Sequence, residues 1–272
     1  MLAYYEHSFS PFLIHFYGQW GIRYYGLAYA LGFVGLYFGL VWQSRRGWNR
    51  LRGDAISDFL TWMIAGVIIG GRLGYCLLYA WPETVHNPLS IFRVWDGGMA
   101  SHGGILGSIA AIYFCARKNK IPFYNLADAT ALCCPPALFL GRIANFINGE
   151  LWGRPATVAW AVIFPGAPLV GGVNVPRHPS QLYEALLEGL LLFLILLALR
   201  FKARTDGVVA LSFMAGYAAL RFVGECFREP DAEIGYYFDW LTQGQLLSLG
   251  MFAATLVLIA LHRARLRATG PS

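Results

Sequence analysis

Three arginines, Arg72, Arg142 and Arg221, stand inside or at the ends of long apolar runs. An arginine at the centre of a membrane helix costs about 2.5–3.5 kcal/mol on insertion scales, so three could cost roughly 7–10 kcal/mol. That is comparable to the net stability of many whole domains, although snorkelling near a span end lowers it. Internal ion pairing is one explanation, and Glu150, Glu184, Glu188 and Glu225 are acids available for it. Glu225 follows Arg221 by four residues on the same helical face, with Arg228 one turn further. Pairing accounts for Arg221 as well as a ligand does, but it leaves much of the basic excess unexplained. A planar guanidinium suits bidentate contact with phosphate, so an anionic lipid headgroup is the sharper reading.

Three polar, glycine-rich segments adjoin these arginines. The first, Asp96-Gly-Gly-Met-Ala-Ser-His102-Gly103-Gly-Ile-Leu-Gly107, carries a GxxxG pair suited to close helix packing. Packing explains the glycines but not His102, whose imidazole can move protons near neutral pH. The second, Gly141-Arg142-Ile-Ala-Asn145-Phe-Ile-Asn148-Gly-Glu150-Leu-Trp-Gly153-Arg154, puts Arg142 and Asn145 on one helical face. Its asparagines and Glu150 need partners or water at a bilayer edge. The third, Arg177-His178-Pro-Ser180-Gln-Leu-Tyr183-Glu184, reads as a helix start capped by Ser180, with no chemistry required.

The elements that must position these residues are membrane helices. Of 272 residues, 57% are apolar and 13% charged, against roughly 45–50% and about 25% in soluble domains. Aromatics reach 16%, as interfacial belts would use. Apolar runs of near-spanning length fall at about 24–42, 56–79, 98–116, 125–147, 182–199, 207–226 and 241–261. The expectation is an all-α polytopic membrane protein of seven transmembrane helices, a single integral-membrane domain over 1–272.

The net charge of +6 follows from topology and requires no nucleic acid. Arg45, Arg46, Arg50 and Arg52 follow the first run; Arg117, Lys118 and Lys120 follow the third. Arg200, Lys202 and Arg204 follow the fifth, and Arg263, Arg265 and Arg267 the seventh. By the positive-inside rule these loops are cytoplasmic, which puts the N-terminus outside and the C-terminus inside. The other loops then form a small extracytoplasmic head. Residues 1–20 show no basic n-region or small-residue cleavage site, so no cleaved signal is read there. The five cysteines show neither CxxC nor Cys/His spacing, so they read as packing residues.

The segment Arg142-Ile-Ala-Asn145-Phe-Ile-Asn148-Gly-Glu150-Leu-Trp-Gly153 resembles the signature of the bacterial phosphatidylglycerol–prolipoprotein diacylglyceryl transferase family. Tyr24-Tyr25-Gly26, Gly70-Gly71-Arg72-Leu73-Gly74-Tyr75, His102-Gly103-Gly104, the Arg177–Glu184 segment and Arg221–Asp231 match in order. The resemblance covers nearly the whole chain, with Arg154–Pro176 shorter than in familiar members. It implies a multi-pass enzyme of the bacterial inner membrane with its active site towards the outer side. The implied reaction moves diacylglyceryl from phosphatidylglycerol to the lipobox cysteine of a preprolipoprotein signal peptide and releases glycerol phosphate. It implies His102, Arg142 and Arg221 as catalytic residues. Tyr25, Arg72, Asn145, Asn148, Glu150, Gly153, His178, Glu225 and Arg228 join the two arginines in binding substrate. No metal or organic cofactor is expected.

Other classes fit less well. A transporter would place charges near the midplane and often shows inverted repeats, whereas these polar segments gather at one face. A retinal protein needs a membrane lysine, and Lys118, Lys120 and Lys202 all fall in expected cytoplasmic loops. Ser101 beside His102 is a sequence neighbour and not thereby a catalytic dyad. A lipid-binding scaffold without catalysis is the non-enzyme alternative.

Overall fold

The structure, a computed structural model, describes residues 4–17, 20–93, 95, 97–230, 235–238 and 240–269. Asp96 and Asp231, named in two motifs above, lie outside the described residues. The chain divides into two compact units, Leu36–Thr130 and the combination of Met1–Gly35 with Ala131–Ser272.

Each apolar run is a helix. In chain order these are α1 (Tyr24–Arg45), α2 (Asp54–Leu78), a short α3 (Trp81–His86), α4 (Ser101–Lys118) and α5 (Phe123–Asn148). Then come α6 (Ser180–Glu184), a π-helical stretch Ala185–Leu191 leading into α7 (Leu192–Lys202), α8 (Val208–Glu225) and α9 (Gln243–Thr269). Among the described residues, six stretches are long and apolar enough to cross a membrane: Tyr24–Arg45, Asp54–Leu78, Phe123–Asn148, Ser180–Lys202, Val208–Glu225 and Gln243–Ala268. The expected third span is the helix α4. Its 18 residues begin with Ser101 and His102 and end with Arg117 and Lys118, so polar ends dilute its apolar middle. Seven expected spans therefore meet six helices that qualify on length and composition.

The chain is mostly helical, as expected, with short strands added between the helices. Short strands occur at β1 (Tyr5–Glu6), β2 (Phe12–Tyr17), β3 (Trp20–Arg23), β4 (Val162–Ile163), β5 (Pro176–Arg177), β6 (Tyr236–Tyr237) and β7 (Leu241–Thr242). β1 pairs parallel to β4, which pairs antiparallel to β5. Two-residue ladders leave little sequence periodicity, but they satisfy backbone groups in segments too short for helices.

Within Leu36–Thr130, the glycines decide how α2 meets α4. A methyl group at Gly66 would collide with the Gly107 carbonyl, and one at Gly70 with the Gly103 carbonyl. At Gly74 a Cβ would stand 2.8 Å from Gly103 Cα. The expected GxxxG pair on α4 thus faces three glycines at four-residue intervals on α2, and the two backbones touch. Ala100, just before α4, donates its N–H to the Gly71 carbonyl at 2.9 Å. The basic loop after α1 is sewn to the start of α5: Asn125 accepts from the Arg50 N–H at 2.9 Å, and Gln43 donates to the Ala129 carbonyl at 2.9 Å.

In the other unit, Leu192, Leu196 and Val209 are fully buried among α7 and α8. Leu247, Leu256, Val257 and Leu261 of α9 are exposed, an apolar surface that suits hydrocarbon and not water. A reciprocal capping box starts α9. Gln245 N–H donates to Thr242 Oγ1 at 3.2 Å, and Thr242 N–H to Gln245 Oε1 at 3.1 Å.

Candidate active site

The arginines of α5 and α8 meet carboxylates from the helix between them in sequence. Arg142 places Nε 3.0 Å from Glu184 Oε2 and Nη2 3.0 Å from Glu188 Oε2. Arg221 pairs through Nη1 with Glu184 Oε1, reaches Glu188 Oε1 at 3.5 Å, and places Nη2 2.6 Å from Glu225 Oε2. Glu184 and Glu188 are buried, while the two arginine side chains keep 15% and 14% of their surface. A guanidinium has five N–H donors, so this pairing does not exhaust either one. Among the described residues, Arg142 Nη1 and Arg221 Nε meet no acceptor. Internal pairing and an open edge for a ligand therefore coexist.

Glycines permit the close approach behind this cluster. At Gly244, the second residue of α9, a Cβ would stand 2.6 Å from the Glu225 carboxyl carbon. The carboxylate thus packs directly against the first turn of α9.

A second cluster forms where α5 ends. Gly149 N–H donates to the Phe146 carbonyl at 3.0 Å and Glu150 N–H to the Asn145 carbonyl at 3.2 Å, the paired bonds of a Schellman ending. Gly149 takes the required left-handed conformation, φ 65°. This turn brings the Glu150 carboxylate back over the helix it has just left. Asn145 Nδ2 then donates to Glu150 Oε1 at 2.9 Å and to the Tyr25 hydroxyl, and Asn148 Nδ2 reaches Glu150 Oε1 at 3.5 Å. Ser180 does not cap α6 as the sequence suggested. Pro179 holds the cap position, and the Ser180 hydroxyl donates to the Leu151 carbonyl at 2.9 Å.

Gly153, His178 and Arg228 come together where the segments after α5, before α6 and after α8 meet. Gly153 N–H donates to the His178 carbonyl at 2.9 Å, and Gly153 bridges Arg228. A Cβ at Gly153 would press on both the His178 and Phe227 carbonyls, so only glycine fits. Arg228 is not on the helix of Arg221, because α8 ends at Glu225. Trp160 Nε1 donates to the Tyr183 hydroxyl at 2.6 Å, leaving that hydroxyl to donate to His178 Nδ1 at 3.1 Å. Partial burial holds the His178 imidazole below the usual histidine range, consistent with a neutral ring accepting at Nδ1. Arg177, outside the expected set, is buried and joins the Gly153 and Pro168 carbonyls to Glu229.

Arg72 and His102 belong to the Leu36–Thr130 unit. Arg72 is buried, and backbone carbonyls claim its guanidinium: Ile91 at 3.0 Å, Gly98 at 3.3 Å, and Ser90 and Gly97 both at 2.5 Å. Its geometry is that of a loop anchor. His102 is exposed in the first turn of α4.

A family model described as prolipoprotein diacylglyceryl transferase matches residues 11–261. The chain belongs to the prolipoprotein diacylglyceryl transferase family. It is similar to the phosphatidylglycerol–prolipoprotein diacylglyceryl transferase of Idiomarina loihiensis, 46% identical over 93% of this chain and 92% of that protein. The protein of the same description from Geobacter sulfurreducens is 48% identical over 90% and 92%. The corresponding Solidesulfovibrio magneticus protein is 47% identical over 93% and 94%. The chain is thus an enzyme, a multi-pass membrane transferase of lipoprotein biosynthesis.

Glu184 and Glu188 were visible in the sequence as available acids, but not as part of the transferase site. Two carboxylates spaced i, i+4 in an apolar run are the signal that could have found them. Gly244 carried no such signal, since its role depends on where α9 meets Glu225.

Proposed function

We propose that the chain transfers the diacylglyceryl group of phosphatidylglycerol to the lipobox cysteine of a preprolipoprotein signal peptide. The observation that carries this reading is the arginine pair Arg142 and Arg221, each held by buried carboxylates on one edge and open on another. The open nitrogens suit two oxygens of a phosphodiester. In the reaction the cysteine sulfur attacks the glycerol carbon next to the phosphate. A C–S bond forms, the C–O bond breaks, and the electron pair leaves on glycerol phosphate. Charge grows on the phosphate oxygens, where donors already in place are most effective.

The acceptor thiol has an unperturbed pKa near 8.5, so only a few per cent is thiolate at neutral pH. We assign removal of its proton to His102. Tyr25, Asn145, Asn148 and Glu150 offer hydroxyl, amide and carboxylate groups suited to the glycerol headgroup. Gly153, His178 and Arg228 shape the head beside them, and Arg72 acts through the loop it anchors. Glu225 supports Arg221. The reading includes seven spans, with α4 as the third, a periplasmic head and a cytoplasmic C-terminus in the bacterial inner membrane. Its support is the one-sided distribution of basic loops.

Purified protein with phosphatidylglycerol vesicles and a lipobox peptide should raise the peptide mass by one diacylglyceryl group. A peptide with serine for cysteine should stay unmodified. An unchanged mass for the cysteine peptide, with folded protein, refutes the assignment.

A further inference from the structure

Glu188 touches both arginines at once. Its Oε2 lies 3.0 Å from Arg142 Nη2 and 3.3 Å from Arg142 Nε, while its Oε1 lies 3.5 Å from Arg221 Nη1. The side chain is fully buried and comes from the π-helical stretch Ala185–Leu191. Such π turns are rare and frequent at functional sites. Glycines bring the neighbouring helices close enough for one carboxylate to span them. At Gly189 a Cβ would stand 2.6 Å from Phe139 Cβ on α5, and at Gly224 on α8 it would stand 3.3 Å from Glu184 Cγ.

Charge balance alone does not require Glu188. Glu184 already pairs with both arginines, and Glu225 pairs with Arg221. Two carboxylates neutralise two guanidiniums; a third leaves the five formal charges at −1, and burying a carboxylate costs several kcal/mol. An anion site would gain attraction by losing that charge. What the third carboxylate adds is geometry. It contacts each arginine at a different oxygen and so restricts how one guanidinium turns relative to the other.

We infer that Glu188 is a positioning residue for the transfer reaction, fixing the mutual orientation of Arg142 and Arg221. The inference rests on the reading that those two arginines contact the lipid phosphate. A phosphate whose charge grows in the transition state is more sensitive to donor placement than the same phosphate at rest. Disturbing Glu188 therefore acts chiefly on kcat.

The experiment compares kcat and KM for phosphatidylglycerol in wild type, Glu188→Gln and Glu188→Asp, with folding checked by thermal unfolding. Glu188→Gln should lose about tenfold to a hundredfold in kcat, with KM within about threefold, since one displaced transition-state donor costs up to about 10²–10³-fold. Glu188→Asp keeps the charge but falls one methylene short of spanning two helices, so it should not restore kcat. Wild-type kcat in Glu188→Gln overturns the inference, as does full rescue by aspartate or a loss confined to KM. Should a Glu188 variant fail to fold, Gly189→Ala, whose methyl would stand 2.6 Å from Phe139 Cβ and so shifts the turn that carries Glu188 away from α5 without removing a charge, should show the same kcat-weighted loss; unchanged kcat there overturns it. Arg142→Ala and Arg221→Ala are measured in parallel. Transfer surviving in both removes the phosphate reading itself, whereas inactive arginine variants beside a fully active Glu188→Gln reject this inference alone.

Discussion

At the scale of single residues, identical side chains do different work because their donors are spent differently. Arg72 gives its guanidinium to four backbone carbonyls, whereas Arg142 and Arg221 each retain a nitrogen with no acceptor among the described residues. His102 differs again, exposed on the first turn of α4. If it removes the thiol proton, His102→Gln keeps a polar group yet loses about 10²–10⁴-fold at neutral pH. Loss of one ordinary hydrogen bond, about 1 kcal/mol, would cost less than tenfold. Raising the pH towards the thiol pKa supplies thiolate from solution, so the variant should recover part of its rate. The measurement is rate against pH for both proteins with lipid and peptide saturating. A deficit that stays constant across pH rejects the base role.

At the scale of elements, local rules place the ends of helices and glycines set their separation. The Schellman ending of α5 and the capping box of α9 each follow from a few adjacent residues. Packing of α2 on α4 instead depends on glycines facing one another across helices. Gly103→Ala would drive a methyl into the Gly70 carbonyl and Gly74 Cα, while at Gly104 the nearest atom is 3.7 Å away. Overpacking of this kind typically costs about 1–3 kcal/mol. Gly103→Ala should therefore lower the thermal midpoint of the detergent-solubilised protein by several degrees, and Gly104→Ala should leave it near wild type. Equal midpoints for the two variants would mean that the seam does not stabilise the unit.

At the scale of the whole molecule, the prediction concerns sidedness. The charge distribution of the sequence leads to the expectation that the stretch 154–176 lies outside; within it Ala167 is buried with Val162 and Phe164 and unsuited to labelling. Val173, 60% exposed, is the better probe. Val173→Cys in a background with the exposed Cys226 replaced by serine should react with a membrane-impermeant thiol reagent in intact cells. Reaction only after permeabilisation would reverse the topology.

Hydropathy and charge spacing by themselves determined the helices, because a bilayer imposes a length and an apolar composition that can be read one residue at a time. Expected runs and observed helices differ mostly by two or three residues at their ends. The same reading brought forward Arg142, Arg221 and their acids, since charge in an apolar run is conspicuous wherever it folds. The β1–β4–β5 pairing, the loop-anchoring geometry of Arg72 and the two-arginine span of Glu188 emerged only in the tertiary structure. Glu188 meets Arg142 across 46 residues and Arg221 across 33. No local periodicity fixes such separations. They depend on how closely helices pack, and here glycines at 189, 224 and 244 set that distance.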